Sequence, residues 1–287
     1  MSLFRSALAG LACLLSVSAA AAETLYFSAI PDEDATALTA RFTKVADYLS
    51  GQLGVDVVFV PVKSYPAAVT AFTNDQVQLA WFGGLTSVQA RLANPGAKSI
   101  AQGAEDQAFV AYLIANTGAG LEPSDDFPMQ TRGMTLSFGA KTSTSGRLMP
   151  EYYVREATGV APEAFFSRVG FSGDHSQTLR LVASGAWQLG FVNYSVYDKA
   201  VVDKAPEAET TEVIWKTPPF PDYNWVIRGD VDQRFGAGFT QKVQDALVSL
   251  TDPEVLASFP REAFIPATND QYAPIERTAT ELGLIAP

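Results

Sequence analysis

Strands and helices alternate in a tight rhythm over residues 24–81, and that rhythm restricts the fold more than any other feature of the chain. Residues 24–30, Thr-Leu-Tyr-Phe-Ser-Ala-Ile, read as a buried strand stopped by Pro31 and followed by the acidic turn Asp32-Glu33-Asp34. Phe42, Val45, Ala46, Leu49 and Leu53 then follow the i, i+3, i+4, i+7, i+11 spacing of one apolar helix face, which Gly51 and Gly54 end. Residues 55–62 alternate and are β-branched, as in a strand; Ser64 caps a second helix to about Phe72, and residues 77–81 give a third strand. Strands alternating with helices of this length predict a parallel sheet covered on both faces, which binds ligands in the crevice at the carboxyl ends of its strands.

The pattern stops in a polar stretch with Gly118, Gly120 and Pro123, then starts afresh. Residues 134–138 read as a strand, 145–157 as a helix, 166–171 as a strand, 175–184 as a helix and 187–192 as a strand. The remainder, with Trp225 in an apolar run and helical stretches near 239–250 and 272–282, is too long for one lobe's edge and is expected to cross back. The expected architecture is α/β with two lobes, each a mainly parallel sheet flanked by helices: residues 23–116 and 218–287 form the first, 117–217 the second.

Composition removes several kinds of chemistry. Twenty Lys and Arg against 31 Asp and Glu give a net charge of −11, the opposite of what a phosphate backbone attracts. One His and one Cys leave no His-rich or thiolate metal site and no internal disulfide. Residues 1–22 carry one charge, Arg5, an apolar run from Ala7 to Val17 and four alanines before Glu23, the form of a secretory signal peptide too short to span a membrane. Cleavage after Ala22 removes the lone Cys13 and predicts a periplasmic product without cysteine.

What remains is a set of turns. Ser143-Thr144-Ser145-Gly146 places three hydroxyls between a strand and a helix, where free backbone N–H groups and the positive end of the helix dipole favour an anion. An ordinary N-cap needs only one of them. Asp174-His175-Ser176 repeats the geometry one unit later, and Trp81-Phe82-Gly83-Gly84 frees backbone at a strand end of the first lobe. Tyr65 lies just after a strand, and Asn193 sits where a polar side chain would close the cleft. No glycine-lysine phosphate loop and no Gly-x-Ser-x-Gly elbow is present, so a hydrolase would have to work through His175. The turn at residues 32–34 reads as solvated, with a cation site as the alternative.

These motifs resemble the phosphate/phosphite/phosphonate branch of ABC-transporter periplasmic substrate-binding proteins. The Ser-Thr-Ser-Gly turn at 143–146 matches that family's oxyanion grip, and Phe171 to His175 match its Phe-x-Gly-x-His pattern; Gly84 replaces the proline usual after the first-lobe glycine. The resemblance implies the type II two-lobed binding-protein fold, no enzymatic activity and no cofactor. It further implies a monomer that delivers a small tetrahedral oxyanion to membrane permease subunits. The ligand residues it implies are Ser143, Thr144, Ser145, His175, Tyr65, Gly83, Gly84 and Asn193. Asn193 stands where phosphonate binders carry Asp, and the chain is similar to a subgroup labelled selenate-binding. A sensor subunit feeding a membrane kinase would share the same pocket.

Overall fold

The computed structural model describes residues 23–286; the expected signal sequence at 1–22 lies outside them. The strands are β1 (Leu25–Ala29), β2 (Val57–Phe59), β3 (Leu79–Phe82), β4 (Lys98–Gly103), β5 (Ala111–Asn116), β6 (Thr135–Phe138), β7 (Arg168–Phe171), β8 (Leu189–Asn193), β9 (Thr211–Lys216), β10 (Asn224–Ile227) and β11 (Phe264–Pro266). They form two sheets, ordered β11-β4-β10-β3-β1-β2 and β7-β6-β8-β5-β9. Both are mixed, not mainly parallel. In the first sheet β1 runs parallel to β2 and β3, while β10 and β11 join antiparallel. In the second, β6 runs parallel to β7 and β8, while β5 is antiparallel to β8 and β9.

The antiparallel strands are the ones the helix-strand rhythm does not announce. Ala111–Asn116, expected in the first lobe, pairs with β8 and β9 in the second sheet. The chain therefore crosses between lobes at residues 104–110, not after 116, and returns at 217–223. The two crossings bond to each other, each of Phe109 and Phe220 donating its N–H to the other's carbonyl at 2.9 Å.

Helix Ala35–Leu53 buries Leu38, Phe42, Val45, Ala46, Leu49 and Leu53, the predicted face extended by one turn. Asp34 caps it by accepting from Thr36 N at 2.9 Å, while Asp32 and Glu33 pair with Arg41 at 3.4 Å. The acidic turn is thus a helix cap and an ion pair. Phe42 stacks on Phe59 at 4.9 Å and meets Phe27 and Phe259 edge-on; truncating such a side chain to Ala typically costs about 3–5 kcal/mol. In the second lobe Phe138 stacks between Phe171 and Phe191, at 5.9 and 5.8 Å. Phe259 also meets Trp81 of β3 at 5.3 Å, so these aromatic layers back the carboxyl ends of β3, β6, β7 and β8, and the candidate site is built there.

Candidate functional site

After β6 the backbone makes a wide turn before helix Met149–Thr158 begins. Leu148 N donates to Ser143 O at 3.0 Å, an i→i+5 bond, and such π turns recur at functional sites. A continuous helix from residue 145 was expected; Pro150, which lacks an N–H, falls in the first helical turn instead. The wide turn presents Ser143, Thr144 and Ser145 together, all at most 2% exposed. Ser143 Oγ accepts from Gly146 N at 2.9 Å. A Cβ on Gly146 would lie 2.8 Å from Ser143 Oγ and 3.0 Å from His175 Cε1, so glycine is what lets the turn reach the histidine.

The first lobe meets this turn directly. Thr144 Oγ1 accepts from Leu85 N at 3.0 Å, and Gly83 leaves room for both Thr144 Oγ1 and Asp222 Oδ1. The Gly84 amide, expected to face a ligand, donates to Asp222 Oδ1 at 2.9 Å. Gly83 and Gly84 therefore place other side chains; the Gly84 N–H is not itself free.

His175 opens helix His175–Ala183, which Asp174 caps. Its backbone N–H donates to Asp32 O of the first lobe at 3.0 Å. Its Nδ1 accepts from Asn193 N at 3.2 Å, which fixes the proton on Nε2. Burial lowers its pKa to about 4, with Asp32 pulling the other way, so the ring is a neutral donor. Asn193, expected at the ligand, has both ends of its side chain engaged within the protein. Its Oδ1 caps the next helix through Val196 N at 2.8 Å, and its Nδ2 donates to Tyr223 Oη at 3.0 Å.

Besides Thr142 Oγ1 at its start, four buried polar atoms around this turn have no hydrogen-bond partner of good geometry: Tyr65 Oη, Ser145 Oγ, His175 Nε2 and Asp222 Oδ2. Tyr65 lies beside Ser143, and burial holds its hydroxyl proton on. The Asp222 carboxyl lies beside the Thr144 and Ser145 hydroxyls; burial raises its pKa to about 7, against the pull of the Gly84 amide and those hydroxyls. Unpaired buried polar groups are costly, and four meeting at one turn mark a place prepared for a polar ligand. Three are donors and one is an acceptor.

Among the described residues no cation is hydrogen-bonded to them. Arg147, in the turn itself, is drawn onto Glu151 at 2.7 and 3.0 Å. The charges bearing most on Tyr65 and His175 are carboxylates, Asp32 foremost. Outside the turn a cavity of about 670 Å³ opens between the lobes, bordered by Pro31, Tyr65, Ala140, Phe171 and Asp174. The turns carrying Ser143–Ser145 and His175 and the Tyr65 hydroxyl are brought together as expected. Asp222 and Tyr223 were missed as site residues, although they sit in the Pro-rich run 217–223 before β10, where three prolines stiffen a crossing.

Known proteins resemble the chain over most of its length. Residues 27–272 match the family model described as ABC transporter, phosphonate, periplasmic substrate-binding protein. A probable ABC transporter phosphite binding protein, PhnD1 of Prochlorococcus marinus strain MIT 9301, is 36% identical over 92% of this chain and 91% of its own length. The phosphonates-binding periplasmic protein of Escherichia coli K12 is 25% identical over 90% of this chain and 76% of its own. The crystal structure of PhnD1 with methylphosphonate superposes with a TM-score of 0.87, covering 91% of this chain and 99% of that one. With the type II binding-protein fold and a family match over most of its length, the chain belongs to the phosphonate family of ABC-transporter periplasmic substrate-binding proteins.

Proposed function

We propose that this protein is the periplasmic receptor of an ABC transporter for a small phosphorus oxyacid that still carries a P–OH, of the size of phosphite or methylphosphonate. The observation that carries the reading is the donor set: Tyr65, Ser145 and His175 supply neutral donors, and Asp222 Oδ2 supplies one acceptor. An ionised oxyacid oxygen takes the donors, and the remaining P–OH donates to Asp222. Sulfate and selenate carry no such proton near neutral pH and set an anionic oxygen against a carboxylate. The selenate resemblance is thereby the less favoured reading of the same cleft. PhnD1, crystallised with methylphosphonate and named for phosphite, supports the size and class.

Calorimetric titration at pH 7 with phosphite, methylphosphonate, phosphate, sulfate and selenate tests the proposal. Phosphite or methylphosphonate should bind about 100-fold or more tighter than sulfate and selenate, a margin expected when a buried polar group is left unpaired. Equal or tighter selenate binding refutes it.

A further inference from the structure

Outside the cleft lies a buried ion pair. Asp106 and Arg261 are buried, at 0% and 6% exposure. Arg261 holds Asp106 in a two-pronged grip, Nε to Oδ2 at 2.9 Å and Nη2 to Oδ1 at 2.7 Å. Gly103 N adds a third bond to Oδ2 at 3.0 Å. The remaining Arg261 donor, Nη1, goes to the carbonyls of Phe259 at 2.7 Å and Pro260 at 3.2 Å. A Cβ on Gly103 would stand 2.5 Å from Asp106 Oδ2 and 2.6 Å from Arg261 Cδ, so the backbone there is kept bare for the pair.

A buried pair of this kind is seldom the most stable filling for its space, since apolar side chains of similar volume do as well or better. Its directionality is what an apolar filling lacks, and the directions are specific. Asp106 belongs to the outgoing crossing, and its carbonyl accepts from the backbone N of Asp222 on the return crossing at 3.0 Å. The Arg261 guanidinium lies 5.4 Å from the ring centre of Phe109 on one crossing and 5.5 Å from that of Tyr223 on the other. Arg261 thus reaches from the C-terminal part of the first lobe and fixes both crossings at the level of the site acceptor.

We infer that Arg261, acting through Asp106, is the positioning residue for Asp222 and thereby for the choice between protonated and unprotonated oxyanions. The pair sets the backbone from which Asp222 gives one oxygen to Gly84 N and holds the other, unpartnered, for the ligand. This inference rests on the proposed role of Asp222 at the ligand, and the experiment separates the two.

The test compares methylphosphonate with methanesulfonate, nearly the same shape but without an acidic proton at neutral pH. Their affinity ratio is measured by calorimetry at pH 7 in wild type, Asp222→Asn, Arg261→Lys and the paired variant Asp106→Leu/Arg261→Met, with a melting curve for each. The paired variant leaves no unpaired charge and should fold. Its ratio should fall at least about tenfold, the loss expected for one misplaced charge-assisted hydrogen bond. Arg261→Lys, which keeps the charge and loses the fork, should show a smaller fall in the same direction. A wild-type ratio in a folded paired variant overturns the inference; if that variant does not fold, a wild-type ratio in Arg261→Lys overturns it. An unchanged ratio in Asp222→Asn refutes the reading of Asp222 itself and the inference with it.

Discussion

Replacing Asp222 by Asn should remove the pH dependence of binding an unprotonated anion and weaken the binding of a protonated one. The substitution is nearly isosteric: an amide oxygen still accepts from Gly84 N, where the carboxylate now does so at 2.9 Å. What changes is the outward oxygen, which loses its charge. In wild type the pKa of about 7 means that binding an ion without a proton, such as methanesulfonate, requires Asp222 to take one up. Well above that point each pH unit costs about 1.4 kcal/mol, so methanesulfonate affinity should fall about fivefold from pH 7 to 8 and about tenfold from 8 to 9. In Asp222→Asn that slope should vanish. Methylphosphonate, by contrast, should lose a charge-assisted hydrogen bond worth about 1.5–3 kcal/mol, or roughly 10- to 150-fold in affinity. The assay is calorimetry with both ligands from pH 6 to 9. Methanesulfonate affinity that is flat with pH in wild type, or equally steep in the variant, refutes the reasoning.

Four further outcomes follow from the same geometry. Ser145→Ala removes an oxygen with no partner in the protein, so ligand affinity should drop about 10-fold or more with little change in melting temperature. Thr144→Ala also loses the bond to Leu85 N and should lower both, by roughly 1 kcal/mol in stability; a melting scan beside the titration separates them. Without ligand, Asp222 takes up its proton more readily folded than unfolded, so its contribution to stability is lost as pH rises from about 4 to about 7. His175, with its pKa lowered, does the opposite between about 4 and 6.5, its contribution present at higher pH and lost on acidification. Denaturant titration should therefore show the stability difference, Asp222→Asn minus wild type, growing with pH over the first window; a constant difference contradicts the burial of Asp222. Asn193→Asp keeps the cap to Val196 N but loses the donor to Tyr223, whose hydroxyl already faces Asp32. It should destabilise by roughly 1–3 kcal/mol in melting experiments, a buried hydrogen bond lost, with ligand preference unchanged.

Much of this arrangement could be read from residue order because it is local. A strand ending in hydroxyls and a glycine before a helix specifies its own turn, and Ser143–Gly146 and His175 were found that way. The apolar stripe from Phe42 to Leu53 likewise placed its helix. The parts that escaped depend on distant partners. Ala111–Asn116 carries no mark of which sheet will take it, since an apolar strand pairs with whichever edge the crossing offers. Asn193 occupies the expected place, yet its side chain is consumed by Val196 and Tyr223, 3 and 30 residues away. Asp222 becomes a site residue only when Gly84, 138 positions earlier, takes one of its oxygens and burial shifts its proton affinity. One carboxylate among 31 acidic residues has no signature until the fold surrounds it.

The lobes touch through the site itself, Leu85 bonding Thr144 and His175 bonding Asp32, while the site's unpartnered atoms are closed off from solvent. A molecule held among them would be released by a parting of the lobes, about the crossings paired at Phe109 and Phe220. Ligands that differ only in how well they please the cradle then share one upper limit on their off-rate, and differ in how long they hold the lobes together. Selectivity among such ligands would then lie in residence time more than in the speed of capture. A membrane partner that pries the lobes apart would set the moment of unloading regardless of how tightly the cargo is held.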